Sequence, residues 1–189
     1  MTIGAARQLH WTEAEFLAFE NESATKHEYL NGEVFAMAGA KPSHNQIANN
    51  TSGILHQMLR GRRCRGFNSD QRIYIPQTGL YTYADGGAAC GRWQIHTDGM
   101  CLLNPTLLFE VLSPATRDYD RGAKRDHYHQ IPTLRHLLLI DEPTHLVEHY
   151  HREPGGPWNV TILHEGAVDL SDLGGMLALD EIYLTDEDD

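Results

Sequence analysis

Hydrophobic positions change period several times along this chain, and each change marks an element. Phe16, Leu17 and Phe19 form a short apolar stripe behind Thr12 and Glu15, a pair with capping-box spacing, which predicts a helix over about residues 12–20. Ala24 to His27 suit one further helical turn. Asn31-Gly32 lies between the hydrophobic runs of EYLNGEVFAM, and because both residues tolerate positive φ a tight β-hairpin is expected there. Ile47, Ile54, Leu55, Met58 and Leu59 then recur at helical spacing, with Ser43 as the expected cap and Arg60, Arg62 and Arg63 at the far end. From Gly66 to Pro76 the pattern becomes extended and runs into RIYIP. After a QTG turn YTYADGGAAC resumes it, and TLLFEVL reads as a strand buried on both faces. Residues 118–130 return to helical spacing, LLLID (137–141) is another buried strand, and VEHYHRE with WNVTILHE flanks a PGGP turn as a peripheral hairpin. Only residues 91–105 read as an irregular insertion. The order predicts an α/β domain with a mixed central sheet flanked by helices.

Composition narrows this to one unit. At 189 residues with 41% hydrophobic content the chain can bury one core, so a single domain over 1–189 is expected, with the acidic TDEDD at 185–189 as a frayed tail. A net charge of −11 argues against broad, nonspecific adhesion to nucleic acid or to an anionic membrane. It leaves room for a local basic groove, and RGRRCR (60–65) is the one dense basic patch. That patch either grips a nucleic-acid backbone by charge or serves the dipole at the end of the long helix. No run approaches the roughly 18 apolar residues of a membrane span and no apolar leader precedes the first helix, so a soluble, cytoplasmic protein is expected. Cys64, Cys90 and Cys101 have no CxxC spacing and cannot all pair, which points to reduced thiols rather than a zinc knuckle or disulfide framework. The histidines, including His149 and His151, lack a cysteine or acid arranged to complete a tetrahedral site and are expected to be solvated. Walker, GxGxxG and GxSxG motifs are absent, which removes support for nucleotide-hydrolase and serine-hydrolase chemistry.

Candidate chemistry concentrates between residues 70 and 128, in Asp70, then YADGGAAC (83–90), then LLFEVLSPATRDYDRGAK (107–124). Asp85 follows the aromatic strand YTY, and Glu110 sits inside LLFEVL, where a carboxylate is costly without a compensating charge. A metal is one such partner; the alternatives are an arginine such as Arg72 or Arg117, or exposure at a sheet edge. Two carboxylates on neighbouring strands suit a hard divalent cation, and a nearby ammonium then acts on the anion that the cation polarises. That combination is the minimal equipment for cutting a phosphodiester. Asp120, Lys124 and Tyr128 recur at i, i+4 and i+8. The spacing either turns Lys124 towards the acids or leaves an exposed Asp120–Lys124 pair worth about 0.3–0.5 kcal/mol, and spacing alone favours the pair. His44 opens the long helix, as a polar cap or as a cleft residue.

The blocks HEYLNGEVFAMAGA, SHNQIA, YADGGAAC, FEVLSPAT and DYDRGAKRDHY, in that order, resemble the Uma-type restriction endonucleases, a branch of the PD-(D/E)XK nuclease superfamily. The resemblance runs from about Trp11 to about Tyr183. It implies a restriction-endonuclease-like fold with an N-terminal helix and β-hairpin, and a divalent-metal-dependent endonuclease that hydrolyses DNA with Mg²⁺ or Mn²⁺. It assigns metal binding to Asp85, Glu110 and the backbone carbonyl of Val111, and the assisting lysine to Lys124 instead of position 112, where Leu112 stands. Glu28 is implied as a further metal or water ligand. DNA is preferred over RNA on this ground alone, and a homodimer would supply the two sites that two strand cuts need. Ala84 replaces the family's proline, and Gly86-Gly87-Ala88-Ala89 replaces its valine-rich strand, which thins the support of Asp85. The glycines keep open an alternative, a noncatalytic nuclease-fold module that binds nucleic acid or protein. An enzyme for another phosphorylated or acidic substrate is the third reading.

Overall fold

The computed structural model describes residues 10–37 and 39–184, so the acidic segment 185–189 lies outside the described residues. Helix α1 (Glu13–Glu22) carries the capping box of Thr12 and Glu15 that the spacing predicts. No helical turn covers 24–27; Ser23 Oγ instead accepts the Thr25 N–H at 3.1 Å, and this hydroxyl turn feeds straight into a strand. β1 (His27–Leu30) and β2 (Glu33–Ala36) make the hairpin around Asn31 and Gly32, both at positive φ. α2 (Pro42–Leu59) is capped by Lys41 and not by Ser43, because Pro42 occupies the first helical position, where its missing N–H costs nothing.

The run expected to be continuous over 66–76 divides into β3 (Cys64–Asn68) and β4 (Arg72–Ile75), because the Asn68 side chain accepts the Asp70 N–H at 3.1 Å and turns the chain. β5 (Leu80–Tyr83) and β6 (Gly86–Cys90) divide similarly across Ala84-Asp85. β3 and β6 belong to one sheet and β4 and β5 to another, so the chain crosses between sheets at Asp85. After β7 (Leu107–Leu112) come α3 (Arg117–Tyr119), a widened turn at Asp120–Lys124 kinked at Gly122, and α4 (Arg125–Tyr128). They return the chain to β8 (His136–Asp141), parallel to β7. β9 (Leu146–His151) and β10 (Asn159–Leu163) form the expected peripheral hairpin. β11 (Ala167–Leu170), β12 (Gly175–Ala178) and α5 (Leu179–Ile182) follow. The large sheet has the order β10-β9-β8-β7-β6-β3, and the small one β2-β1-β5-β4. The helix-flanked mixed sheet is as expected; the second sheet beside it is an addition. Among the described residues no helix is long and apolar enough to cross a membrane.

Strand alternation sorts the core. Leu107, Phe109 and Val111 of β7 share a cluster with Leu55 and Leu59 of α2 and with Leu177 and Ile182. Leu108 and Leu112 cluster instead with Tyr128, Ile131, Ile73 and Leu80, and Glu110 has the same parity on the strand. Each leucine fully buried this way contributes roughly 1.5–3 kcal/mol. The glycines of β6 are a packing requirement, not a thinning of the sheet. A Cβ on Gly86 would sit 2.6 Å from ring carbons of Phe109, and one on Gly87 would strike the Leu107 carbonyl oxygen. β6 is nevertheless paired on both sides, with β3 and β7.

Two expectations about side chains are corrected. β3 and β6 place Cys64 opposite Cys90, and the two form a disulfide across 26 residues of sequence; only Cys101 is free, buried with its thiol donating to Asp98. Spacing in the chain carried no trace of this strand register. His149 is buried and not solvated: its Nε2 lies 3.0 Å from Nδ1 of buried His136, whose Nε2 meets Asp172 at 3.2 Å. Such a chain needs His136 to donate from Nε2 and accept at Nδ1. The chain is satisfied with both rings neutral, and burial favours that state by pushing His136 down to about 3 and His149 to about 4, each ring also opposed by a neighbouring histidine.

Gly87→Ala is expected to lose about 1–3 kcal/mol by overpacking, whereas Gly53→Ala, on an exposed α2 position with nothing within 4 Å, gains about 0.5–1 kcal/mol. Urea denaturation of the two variants checks the opposite signs. Because the folded rings of His136 and His149 resist protonation, the unfolded chain binds more protons below about pH 6.5. Their contribution to stability is complete above that pH and is lost as pH falls towards 4. His149→Gln, which can still donate to His136, should flatten the decline in unfolding free energy between pH 6.5 and 4 by on the order of 1 kcal/mol per pH unit.

Candidate active site at the junction of the two sheets

The crossing between sheets brings Asp85, Glu110, Lys124 and Glu28 into one linked cluster. Glu110 arrives on β7, Glu28 on β1, and Asp85 between β5 and β6. Lys124 comes from the widened turn after α3, and it is 4% exposed where spacing alone favoured a solvated pair with Asp120. Its Nζ lies 3.0 Å from Glu110, 3.2 Å from Glu28 and 3.8 Å from Asp120, and donates to the Tyr83 carbonyl at 3.1 Å. The compensating cation for Glu110 is thus Lys124, while Arg117 pairs with Asp141 and Arg72 donates to Tyr83.

Three carboxylates therefore surround one ammonium. Burial works to lower the Lys124 pKa, but the charges of Glu110, Glu28 and Asp120 more than reverse it and hold the group well above its ordinary value. Burial pushes Glu110 up to about 8 against the pull of Lys124, with Asp85 and Asp120 adding to the rise. Asp120 is raised for the same reason, burial first, with Lys124 opposing.

Each acid has a fixed orientation. Tyr128, fully buried, donates its hydroxyl to Glu110 Oε1 at 2.6 Å. Thr82 and Tyr119 donate to the two oxygens of Glu28, the latter at 2.9 Å. Asp85 Oδ2 accepts the Val111 N–H at 2.7 Å and faces His44 Nε2 at 3.2 Å. Burial lowers the His44 pKa, but hydrogen bonding and charge from Asp85, with a further bond to the Val111 backbone, outweigh it and raise the value overall. His44 is thus a cleft residue and not a helix cap. Asp85 is the most open acid of the group, its side chain 22% exposed against 5–8% for the other three. Solvent therefore reaches the cluster on the Asp85–His44 side.

Among the described residues no three Asp, Glu, His or Cys side chains are arranged to hold a metal by themselves. The donors available to a cation are two carboxylates, each with one oxygen already engaged, and the Val111 backbone. Such hard oxygen donors fit Mg²⁺, which keeps several waters and is commonly held by one or two carboxylates together with substrate phosphate. Sequence reasoning missed Tyr128, Thr82 and Tyr119 as supports of the acids, and left Asp120 as a surface residue. The i, i+4, i+8 row of Asp120, Lys124 and Tyr128 was the available signal, and only burial distinguishes it from a solvated face.

Comparison with known proteins establishes the fold and the family. A solved structure described as a putative nuclease belonging to DUF820, from Anabaena variabilis, superposes with a TM-score of 0.71 over 90% of this chain and 96% of its own, at 18% identity, which establishes the shared fold. Two uncharacterised Synechocystis proteins are similar in sequence. One, slr1290, is 34% identical, covering 89% of each chain; the other, sll1609, is 33% identical, covering 80% of this chain and 86% of its own. The family model Uma2, described as putative restriction endonuclease, matches residues 13–177, so the chain belongs to the Uma2 family.

Proposed function

We propose that this protein is an endonuclease that hydrolyses DNA phosphodiester bonds with Mg²⁺ or Mn²⁺ held by Asp85, Glu110 and the Val111 carbonyl. The observation that carries the reading is the convergence of buried acidic side chains: Glu28, Glu110 and Asp120 lie within 3.0–3.8 Å of the single Lys124 ammonium, with Asp85 adjoining, and burial makes Glu110 costly to ionise without a further cation. A fold retains such a cluster at a cost, and a divalent cation relieves it. When bound, the ion would polarise the phosphate and lower the pKa of an attacking water. Asp85, the acid nearest solvent, meets the incoming phosphate side of the site. Tyr128 holds Glu110 in one orientation, and Glu28, fixed by Thr82 and Tyr119, keeps Lys124 beside the acids. Lys124 Nζ then faces the charge that develops on the phosphate as the bond breaks. The family name supports DNA as the substrate, and a homodimer would present two such sites to the two strands of a duplex. The fully paired β6 argues against the noncatalytic reading, because its glycines admit Phe109 and keep Asp85 at the crossing.

Asp85→Asn and Glu110→Gln are each expected to reduce cleavage of plasmid DNA in Mn²⁺ or Mg²⁺ by at least about 100-fold. Calorimetry should show that Glu110→Gln also loses Mn²⁺ binding; a parent protein that leaves DNA intact with both metals would defeat the proposal. Lys124→Met leaves three carboxylates without their ammonium and is expected to destabilise the metal-free fold by about 3–5 kcal/mol in urea denaturation. Added Mn²⁺ should restore part of that loss, since a cation that binds only the folded state stabilises it.

A further inference from the structure

On α2, His44, Ala48, Ser52, His56 and Arg60 recur every four residues and form one row along the helix. The row begins beside Asp85, 3.2 Å from His44 Nε2, and ends about 24 Å further along the axis. Two hollows lie on this path. The first, of 190 Å³, is walled by Ser52, His56 and Asn68 over a floor of Gly66, Gly87 and Phe109. The second, of 320 Å³, is lined by Arg60, Arg62 and Arg65, and it shares His56 and Gly66 with the first. The two form one continuous groove between α2 and β3.

The charge of this groove is opposite to that of the protein. No acid lines either hollow, although the chain carries a net charge of −11. Arg117, Arg121, Arg125 and Arg135 each pair with a carboxylate. Among the described residues, Arg60, Arg62, Arg63 and Arg65 pair with none. Arg62 donates to the carbonyls of Met58 and Gly174, and Arg65 to those of Arg62 and Cys64, so neutral acceptors hold these guanidinium groups in place and leave their charge uncompensated. Four unpaired arginines at one helix end exceed what the helix dipole asks for, since that effect is confined to the last turn and is served by a single cation. Charges are screened beyond about 10 Å at 0.1 M salt, so the acids elsewhere on the protein do not cancel the attraction of this groove for a polyanion.

We propose that the α2–β3 groove is a DNA-backbone track, which seats phosphates on Arg60, Arg62 and Arg65, which line it, and on Arg63 beside them in the chain, and leads the strand past His56 and Ser52 to Asp85. The continuation to Asp85 rests on the hydrolytic reading above; the phosphate seat on the arginines does not. Recognition by guanidinium groups of successive phosphates is independent of base sequence and strongly dependent on salt.

The test is fluorescence anisotropy with a labelled duplex oligonucleotide in EDTA, over a series of salt concentrations, alongside cleavage assays in Mn²⁺. Arg60→Gln/Arg63→Gln is expected to bind about 10-fold more weakly and to show a log–log salt slope shallower by about 2, roughly one unit per lost phosphate contact. Arg125→Gln, at a distant paired arginine, should bind like the parent, and thermal melts confirm that both variants fold. If the double variant binds as tightly and with the same slope as the parent, or if the parent shows no salt-dependent binding, the track is wrong. A parent that cuts DNA while the double variant binds and cuts normally overturns the track and leaves the nuclease reading intact. A parent that never cuts but loses DNA binding with the double substitution keeps the track and overturns the nuclease reading.

Discussion

The Lys124 ammonium joins β1 through Glu28, β5 through the Tyr83 carbonyl, β7 through Glu110, and its own turn through Asp120. A charge buried this deeply persists only if its surroundings compensate it. Here they do more than that, because three carboxylates meet one ammonium. Burial, with the neighbouring acids adding to it and Lys124 opposing, keeps the carboxyl groups reluctant to ionise, which is why Glu110 sits near 8 and Asp120 is raised. Joining the two sheets and gathering acidic side chains at their junction are therefore one arrangement.

That junction exists because β6 is built from small residues. Gly86 makes room for the Phe109 ring and Gly87 for the Leu107 carbonyl, so β7 closes against β6 and carries Glu110 up to the crossing where Asp85 sits. A valine-rich strand would favour extended backbone more strongly by itself. In this chain neighbouring side chains supply the bulk instead: the Phe109 ring occupies the space beside Gly86, and Phe67 with Leu108 the space beside Gly87. Gly66 and Gly87 also keep the floor of the α2–β3 groove bare.

Much of this was readable from the chain. The capping box at Thr12, the Asn31-Gly32 hairpin, the stripe of α2 and the apolar runs of β7 and β8 are local patterns, and they survive because each depends on neighbours in sequence. Glu110 was legible as well, since a carboxylate within LLFEVL demands a partner wherever the strand goes. The departures have two causes. Pro42, as the first helical residue, moved the cap from Ser43 to Lys41, and the run through Gly66 to Pro76 broke at an Asn68 side-chain turn, both local competitions in which a neighbouring residue won. The Cys64–Cys90 disulfide, the buried His136–His149 pair and the second sheet depend on strand register across tens of residues, which periodicity does not encode.

Periodicity and residue type settled the element types, the mixed α/β class and the residue chemistry of the site: an acid within a buried strand, a second acid just after an aromatic strand, and a lysine at helical spacing from an aspartate and a tyrosine. Only the tertiary structure decided which cation neutralises Glu110, that Asp120 and Lys124 are buried and not solvated, and that Asp85 is the acid nearest solvent. The physical reason is that spacing specifies which side chains share a face, whereas burial and charge compensation depend on what packs against that face. Here β1 and β5 pack there, and they bring Glu28, Thr82 and Tyr83 to a lysine nearly a hundred residues away from the first of them.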